Sequence, residues 1–351
     1  MKRRHFLLSA FLLSVIVTAV SQTGNRAPEK IVFVRPDPLI LASSSASHLS
    51  ADPIGGAIHA VEDPSMKFQA NSDARMNLLA VMDLDGTKIT DLHINGYDPS
   101  VSPDGTKITF CSLRDDQYSQ IYVANADGSG EKRITRITSG DSCGPAWSHD
   151  GKKIAFYSFA MPHPSRNPAI WEMDPDGSNQ KRLVEHGMSP SWSPDDRQIA
   201  YASNRDGKFQ IYAMNSDGTN VRRLTNNKAE ESSPAWAPDG ASIVFVSDRE
   251  GEHPALFLMG ADGSEQHRLV FSKRQDFCFP AWSSDGRTIA FTALNRVGPQ
   301  IVAVGEERPH CELWTGEYQM FTFDSEGKLH QLTNTKYMAM KPTFGRPVLA
   351  R

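Results

Sequence analysis

Short apolar runs separated by turn residues make up most of the chain, and the stretch Ser189–Thr225 shows the repeating unit most clearly. Runs of four to six residues rich in Ile, Tyr, Trp and Val, set between Pro, Asp and Gly, are typical of strands in an antiparallel meander. The Asp-Gly turns supply the positive φ that a tight hairpin needs. The unit therefore predicts four strands, at Ser191–Trp192, Gln198–Ala202, Gln210–Met214 and Val221–Leu224.

The same unit recurs along the chain and opens each time with a motif close to Pro-Ala-Trp-x-x-Asp-Gly. The tryptophans are Trp147, Trp192, Trp236 and Trp282, and Val101 takes this position in an earlier copy. Consecutive copies are 46, 45, 44 and 46 residues apart. A four-strand unit at this period is the signature of a β-propeller blade, whose tryptophan is expected to pack between blades. The pattern predicts an all-β propeller with four antiparallel strands per blade.

The two ends of the chain each hold part of one blade. Glu29–Arg35 matches a second strand with no first strand before it, and Leu78–Asp83 and Lys88–Leu92 supply the third and fourth strands. Met338–Phe344 resembles a first strand, and no complete blade follows it. We therefore predict six blades, the first closed by N- and C-terminal strands, which leaves no open sheet edge. Seven blades is the alternative, because the chain has spare residues in two places.

Residues 1–21 have the features of an export signal. Three basic residues, Lys2, Arg3 and Arg4, precede the apolar run Phe6–Val20, which is short for a membrane span. Residues 22–351 are predicted to form one propeller domain in the periplasm or an equivalent compartment, with no membrane span after signal cleavage. Removal of the basic residues changes the formal net charge from −4 to −7. No basic patch stands out, which argues against nucleic acid as a partner.

The large insertions all fall between second and third strands. They cover residues 36–76, 159–167, 248–254 and 295–315. In a meander these connections share one end of the blades, called here the loop side, and the tight Asp-Gly turns lie at the opposite end, the turn side. Long loops on a rigid scaffold are frequent binding sites, so we expect other protein subunits to bind the loop side. The charged segment 249–253 is expected to be exposed. The candidate binding residues are Arg249, Glu250, Glu252, His253, Glu306, Glu307 and His310.

The repeat PAWSPDG…IAY.S.RDG…QIY.MN.DG…RLT resembles the TolB-type, WD-like propeller repeat of exported bacterial proteins, over about Lys30–Phe344. The resemblance implies the fold and export. Exported propellers of this kind that lack catalytic residues serve as subunits of larger enzymes, and hydrazine synthase has such a cofactor-free propeller subunit. The resemblance therefore implies a non-catalytic scaffold subunit without a cofactor of its own, in a complex such as an oxidoreductase.

A metal-dependent lyase or hydrolase of small saccharides is one alternative function, because exported propeller lyases use a His-rich metal site on a comparable face. His310 and Cys311 would be the first ligands to consider, with two glutamates beside them. No HxH or HExxH pair occurs, so ordinary loop histidines are the simpler interpretation. The histidines on the loop side are His48, His59, His163, His253 and His310.

A small-ligand receptor that uses the central channel is the other alternative. Arginines recur near the ends of second strands and would clamp an anion there. The simpler interpretation pairs them within their own blades with the neighbouring Asp115, Asp206 or Asp248, since the pattern repeats from blade to blade. The arginines are Arg114, Arg205, Arg249 and Arg296.

The cysteines contain no CxxC or CxxCH motif, which excludes a thioredoxin-like site and covalently attached haem. An even number of cysteines in an exported protein favours disulfides, with three connectivities open. Their places in the blades favour Cys111–Cys143 and Cys278–Cys311, and buried thiols are the alternative.

Overall fold

The computed structural model describes residues 29–36, 77–115, 118–137, 140–159, 167–251, 253–296, 316–333 and 340–345. These residues form 24 β-strands in six four-stranded sheets. In chain order the strands are β1 (Lys30–Pro36), β2 (Asn77–Asp83), β3 (Thr90–Asn95), β4 (Tyr97–Val101), β5 (Lys107–Ser112), β6 (Gln120–Asn125), β7 (Lys132–Arg133), β8 (Ser142–Trp147), β9 (Ile154–Ser158), β10 (Ala169–Met173), β11 (Lys181–Glu185), β12 (Met188–Trp192), β13 (Gln198–Ser203), β14 (Gln210–Asn215), β15 (Arg222–Arg223), β16 (Glu231–Trp236), β17 (Ser242–Ser247), β18 (Ala255–Gly260), β19 (His267–Val270), β20 (Asp276–Trp282), β21 (Thr288–Arg296), β22 (Gly316–Asp324), β23 (Leu329–Gln331) and β24 (Met340–Gly345).

Each sheet is one blade of a propeller. Blade 1 has the order β24-β1-β2-β3, and blades 2 to 6 are β4–β7, β8–β11, β12–β15, β16–β19 and β20–β23. The predicted all-β, six-bladed fold with four antiparallel strands per blade is confirmed, and the seven-bladed alternative is wrong. No helix in the described part of the chain is long and apolar enough to cross a membrane.

Blade 1 closes the ring as the sequence predicts. The C-terminal strand β24 pairs with β1, with Phe344 opposite Ile31 and Gly345 opposite Lys30. Because β24 also contacts the first strands of blades 2 and 6, it occupies the inner position that every other blade fills with its own first strand. The backbone N–H of Ser284 in blade 6 adds a 2.9 Å hydrogen bond to the carboxylate of Glu29.

The core lies in and between the blades. The second strands β5, β9, β13 and β17 are buried along nearly their whole length, since both of their faces pack against neighbouring blades. Trp192 and Trp236 are buried, as predicted for inter-blade residues. The indole N–H of Trp192 donates to the Ala146 carbonyl of blade 3 at 3.1 Å, and that of Trp282 donates to the Ala235 carbonyl of blade 5 at 3.3 Å.

The innermost strands share one irregularity. In each of β4, β8, β12, β16 and β20 the register with the second strand shifts at a bulge. The residue before the proline of each strand has a positive φ there, a conformation that L-residues adopt rarely. Five blades thus repeat a backbone feature at the centre of the ring, at Asp98, Gly144, Ser189, Ser233 and Phe279.

Two structural features recur on the turn side, an aspartate hydrogen-bond pattern and a glycine contact between blades. The aspartate of a hairpin turn accepts the hydroxyl and the backbone N–H of the residue two positions on, as Asp217 does from Thr219 at 2.6 and 2.9 Å. The glycine of the turn has a positive φ and lies against the fourth strand of the preceding blade. A Cβ on Gly128 would be 2.2 Å from the Leu92 carbonyl oxygen. Only glycine therefore fits this contact, which recurs at Gly86, Gly177, Gly218 and Gly263.

Candidate functional site

Three loop-side arginines stack on aromatic pairs inside their own blades. The guanidinium carbon of Arg249 lies 5.3 and 4.8 Å from the ring centroids of Phe245 and Phe257, and its Nε donates to Ser247 Oγ at 3.0 Å. Arg114 and Arg205 repeat the stacking and the bond to a serine two residues earlier. Cation–π contact and a hydroxyl acceptor thus hold each arginine in place, which favours a structural role over an anion clamp.

The aspartates beside these arginines accept hydrogen bonds from other groups, and their pairing with the arginines stays a prediction. Asp115 accepts the Tyr122 hydroxyl at 2.7 Å, and Asp206 accepts the Tyr212 hydroxyl. Asp248 accepts the backbone N–H of Glu230 at 2.9 Å. The guanidinium groups have other acceptors in their own blades: Arg114 pairs with the Glu131 carboxylate, and Arg249 donates to Gln266 Oε1 at 2.8 Å. The side chain of Arg296 lies outside the described residues.

Arg249 differs from the other two arginines in its acceptor. Arg205 donates to the backbone carbonyl of Glu185, and Arg114 donates to that of Asn95 and also pairs with the partly exposed carboxylate of Glu131. Arg249 instead pairs with the buried Glu231 carboxylate, at 2.9 Å to each oxygen. The side chain of Arg249 is 18% exposed and that of Glu231 is fully buried. The expectation that Arg249 stands exposed at a loop tip is therefore wrong.

Glu231 is the buried centre of this arrangement. Its carboxylate also accepts the Asn227 amide at 2.8 Å and the Ser247 hydroxyl at 3.0 Å. Burial raises the pKa of Glu231 above its ordinary value, and the Arg249 guanidinium opposes that shift. Three donor side chains around one carboxylate fix the loop-side end of blade 5.

His253 and Glu250 extend the polar contacts outward. His253 Nδ1 lies 2.8 Å from the buried carboxylate of Asp276, the first residue of blade 6, and the side chain of His253 is 25% exposed. Glu250 pairs with Arg268 at 2.6 Å, and both side chains are partly exposed. The segment 249–253 is therefore anchored at Arg249 and His253, and Glu250 is its exposed charge among the described residues.

Backbone hydrogen bonds join blades 2 to 6, each to the next, on this side. An N–H at the start of a first strand donates to a carbonyl at the start of the preceding third strand. Gly187 bonds to Pro168 in this way at 2.8 Å, and Phe277 bonds to Pro254 at 2.8 Å. The equivalent bonds join Ser142 to Ser119 and Glu231 to Phe209. These bonds link the loop-side ends of neighbouring blades through their backbones.

Several predicted site residues fall outside the described part of the chain. They are Glu252, Glu306, Glu307, His310, Cys311, His48, His59 and His163, so their proposed roles stay predictions. Sequence reasoning missed Glu231 and Asp276. The available signal was an acidic residue placed three or four positions before the proline of a first strand.

The predicted Cys111–Cys143 disulfide is not formed. Both residues are buried thiols, and the Cys143 thiol donates to the Tyr97 hydroxyl at 3.4 Å. The alternative of buried thiols holds for this pair, since the Cys143 sulfur is directed at a phenol. Cys278 is buried in β20, and its predicted partner Cys311 lies outside the described residues, so that pairing stays a prediction.

The repeat places the chain in a known family. The TolB beta propeller domain (PD40) matches residues 144–318. An uncharacterized protein of Agrobacterium fabrum is 30% identical over 218 residues, which are 58% of this chain and 68% of that protein. The chain belongs to the TolB-type β-propeller family. The Tol-Pal system protein TolB of Desulfosudis oleivorans is 32% identical over 120 residues, 34% of this chain and 26% of that protein.

Solved structures share the fold at lower identity. TolB of Acinetobacter baumannii superposes with a TM-score of 0.64 at 18% identity, covering 90% of this chain and 66% of that protein. Hydrazine synthase of Kuenenia stuttgartiensis superposes with a TM-score of 0.60 at 15% identity, covering 92% of this chain and 47% of that chain. At these identities the superpositions show the common TolB-like propeller.

Proposed function

We propose that this chain is a non-catalytic scaffold that binds another protein through the loop side of its propeller. The contrast between the two ends of the blades carries the proposal. The turn side repeats short turns whose aspartates are hydrogen-bonded within the turn. The loop-side ends of the strands are joined by much longer connections, of 40 residues between Pro36 and Asn77 and of 19 between Arg296 and Gly316. Long insertions on one rim of a rigid ring are a common way to build a binding surface.

The family supports a protein as the partner. One relative is named as a protein of the Tol-Pal system, and binding to other proteins is the part of that role that carries over. The chain spans about a quarter of that relative's length, so the relative's own partners are not assigned to this chain. We also propose export to the periplasm or an equivalent compartment, with residues 1–21 as the signal.

Membership in a redox complex such as hydrazine synthase stays a narrower proposal, since the superposition with that enzyme shows the fold alone. No observation on the described residues favours the saccharide lyase. Of the five candidate histidines, His253 is the one that the structure describes, and its Nδ1 lies 2.8 Å from the Asp276 carboxylate. The central-channel receptor is likewise less favoured, because Arg114, Arg205 and Arg249 serve as packing residues.

Loop replacement tests the proposal. Pro36 pairs with Asn77 and Arg296 with Gly316, so an Asn-Gly turn in place of residues 37–76 or 297–315 closes a hairpin without moving a strand. Each replacement is expected to leave the melting temperature within a few degrees and to abolish capture of the partner. The partner is defined by mass spectrometry of complexes purified with the tagged full chain from its source. Substitution of Glu250, Glu252 and His253 together is expected to weaken the complex.

Arg197→Glu is the matched control, because Arg197 is an exposed turn-side residue whose side chain is 85% exposed. It should leave the complex intact. Loss of the complex in Arg197→Glu, with retention after both loop replacements, would place the contact on the turn side and refute the proposal.

A further inference from the structure

A cluster of thiol and carboxylate groups is buried where blade 2 meets blade 3. Asp98 and Cys111 belong to β4 and β5 of blade 2, and Cys143 belongs to β8 of blade 3. A carboxylate oxygen of Asp98 and the Sγ atoms of the two cysteines lie within 4.8 Å of one another. The three side chains are 6%, 0% and 5% exposed. Three metal-ligating atoms therefore converge on one point in the interior.

The arrangement suits a small thiophilic cation. Zinc binds cysteine sulfur at about 2.3 Å and carboxylate oxygen at about 2.1 Å in tetrahedral geometry, which places ligand atoms roughly 3.3–3.8 Å apart. The three atoms of the cluster reach that spacing by a small inward shift. Two sulfur ligands favour zinc over calcium or magnesium, which prefer oxygen. We propose that Asp98, Cys111 and Cys143 form a zinc site that joins blades 2 and 3.

The repeat does not require these residue types at these positions. Asp98 occupies the positive-φ bulge position, where its φ is 51°, and bulges commonly redirect a side chain. The other described blades have neither an acidic residue at the equivalent of Asp98 nor a cysteine at the equivalent of Cys111. The equivalents of Asp98 are Gly144, Ser189, Ser233 and Phe279, and those of Cys111 are Tyr157, Ala202, Val246 and Thr292. The cluster is thus specific to one blade junction.

Tyr97 supplies a hydrogen-bond donor next to the ligands. Its hydroxyl contacts the Cys143 thiol and shares a hydrogen bond with Ser119. With two thiolates and one carboxylate around Zn²⁺, the site carries one net negative charge. The Tyr97 O–H can donate to the Cys143 thiolate, as outer-sphere groups do in other metal sites.

Metal binding exchanges protons for the cation. Zn²⁺ displaces the two thiol protons to solvent, the carboxylate of Asp98 binds in its ionised form, and no oxidant or reductant takes part. A disulfide between the same cysteines would remove both thiolate ligands, so the two states exclude each other.

Metal titration of the full chain tests the inference. The protein is purified under reducing conditions, stripped with chelator and titrated with Zn²⁺, and then with Co²⁺ as a spectroscopic probe. We expect about one equivalent of zinc per chain, a thiolate-to-cobalt charge-transfer band, and a melting temperature that rises with zinc. Asp98→Asn and Cys143→Ser are each expected to weaken zinc binding at least about 10-fold, and Cys143→Ser to diminish the charge-transfer band. Ser232→Ala is the control, since Ser232 is the buried blade 5 equivalent of Cys143, and it should bind zinc like the parent chain.

Three results would overturn the inference. They are no stoichiometric zinc bound by the parent chain, binding unchanged in both ligand variants, and a disulfide-linked Cys111–Cys143 peptide in the protein purified without reductant. If Cys143→Ser fails to fold by circular dichroism, Asp98→Asn alone decides. The loop-side scaffold function does not depend on the outcome, because loop replacement and metal titration measure different parts of the molecule.

Discussion

The turn side and the loop side of the propeller are built from the same strands by different means. On the turn side, aspartates and glycines repeat the same contacts around most of the ring. On the loop side, the recurring arginine binds a backbone carbonyl in blades 2 and 4, with a partly exposed carboxylate added in blade 2, but a fully buried carboxylate in blade 5. The repeated contacts on the turn side hold neighbouring blades together, which every blade of a closed ring requires. Contacts that occur in one blade only are free to serve the function of this particular protein.

Loss of the ring-closing strand is expected to have the largest effect on either side. Deletion of residues 339–351 removes β24 and leaves β1 with an unpaired edge. We expect the melting temperature to fall by about 10 °C or more, which corresponds to several kcal/mol for a domain of this size. Thermal unfolding followed by circular dichroism measures the change. Deletion of residues 346–351 alone keeps β24 and is the control, and equal melting of the two truncated chains would argue against closure.

Removal of the buried carboxylate tests the loop side directly. Glu231→Gln leaves the Arg249 guanidinium without its ionic partner in a buried place, and we expect a loss of about 3 kcal/mol in the free energy of unfolding. Glu250→Gln breaks the exposed pair with Arg268, and should cost at most about 0.5 kcal/mol. Urea denaturation measures both variants. Similar losses would mean that the Glu231 pair is no more important than a surface pair.

Alanine substitutions at two glycines with positive φ distinguish the cost of a steric clash from the cost of backbone strain. Gly128→Ala on the turn side forces a Cβ against the Leu92 carbonyl and should cost about 2 kcal/mol or more, whereas Gly207→Ala on the loop side meets nothing within 4 Å and should cost about 1 kcal/mol. Chemical denaturation gives both free energies of unfolding. If Gly207→Ala is as costly as Gly128→Ala, the contact with the preceding blade contributes little.

Acid should weaken the turn side gradually. The Ser129 hydroxyl lowers the pKa of Asp127, and the Thr219 hydroxyl lowers that of Asp217; Lys152, with help from Ser148, lowers the pKa of Asp150 to about 2. Because these folded-state pKa values are depressed, their contribution to stability is complete above the ordinary value of 3.8 and is lost as the pH falls through each folded-state value, which for Asp150 is about 2. Melting temperatures measured between pH 5 and pH 2 are expected to decrease steadily.

Asp217→Asn sharpens this measurement. Asparagine keeps a side-chain oxygen that accepts the Thr219 bonds but does not titrate. The variant should therefore lose slightly less stability than the parent chain over the same pH range. An unchanged pH slope would show that Asp217 contributes little to the acid response.

The architecture could be predicted from the sequence because each blade repeats the same pattern of strands and turns. The spacing of Trp147, Trp192, Trp236 and Trp282 sets the blade period, and the resemblance of residues 338–344 to a first strand predicts the closure that Phe344 and Ile31 complete. Turn chemistry and hydrophobic period act locally, so one sequence carries them. This part needed no knowledge of which residues meet across the ring.

The site residues were harder to predict because their environments are assembled from distant positions. Arg249 looks exposed in a charged segment, but it is held by Phe257 and Glu231, which lie on neighbouring strands. A local signal did exist, since an aromatic-x-Ser-x-Arg motif occurs at 110–114, 201–205 and 245–249. For the Asp98–Cys111–Cys143 cluster, the places of the two cysteines in the blades indicated that they lie close together. The sequence did not indicate that Asp98, at the bulge of β4, joins them.

The pairing of β1 with β24 also has a consequence for how the chain folds. The two strands lie at opposite ends of the sequence, so their contact has the largest sequence separation in the fold. It can form only after the intervening blades have brought the two ends of the chain close together. Until the last residues are available, β1 presents an unpaired edge to other chains. The risk of aggregation is therefore greatest late in synthesis and during refolding, and a circular permutant that covalently joins residue 345 to residue 29 should refold faster and aggregate less.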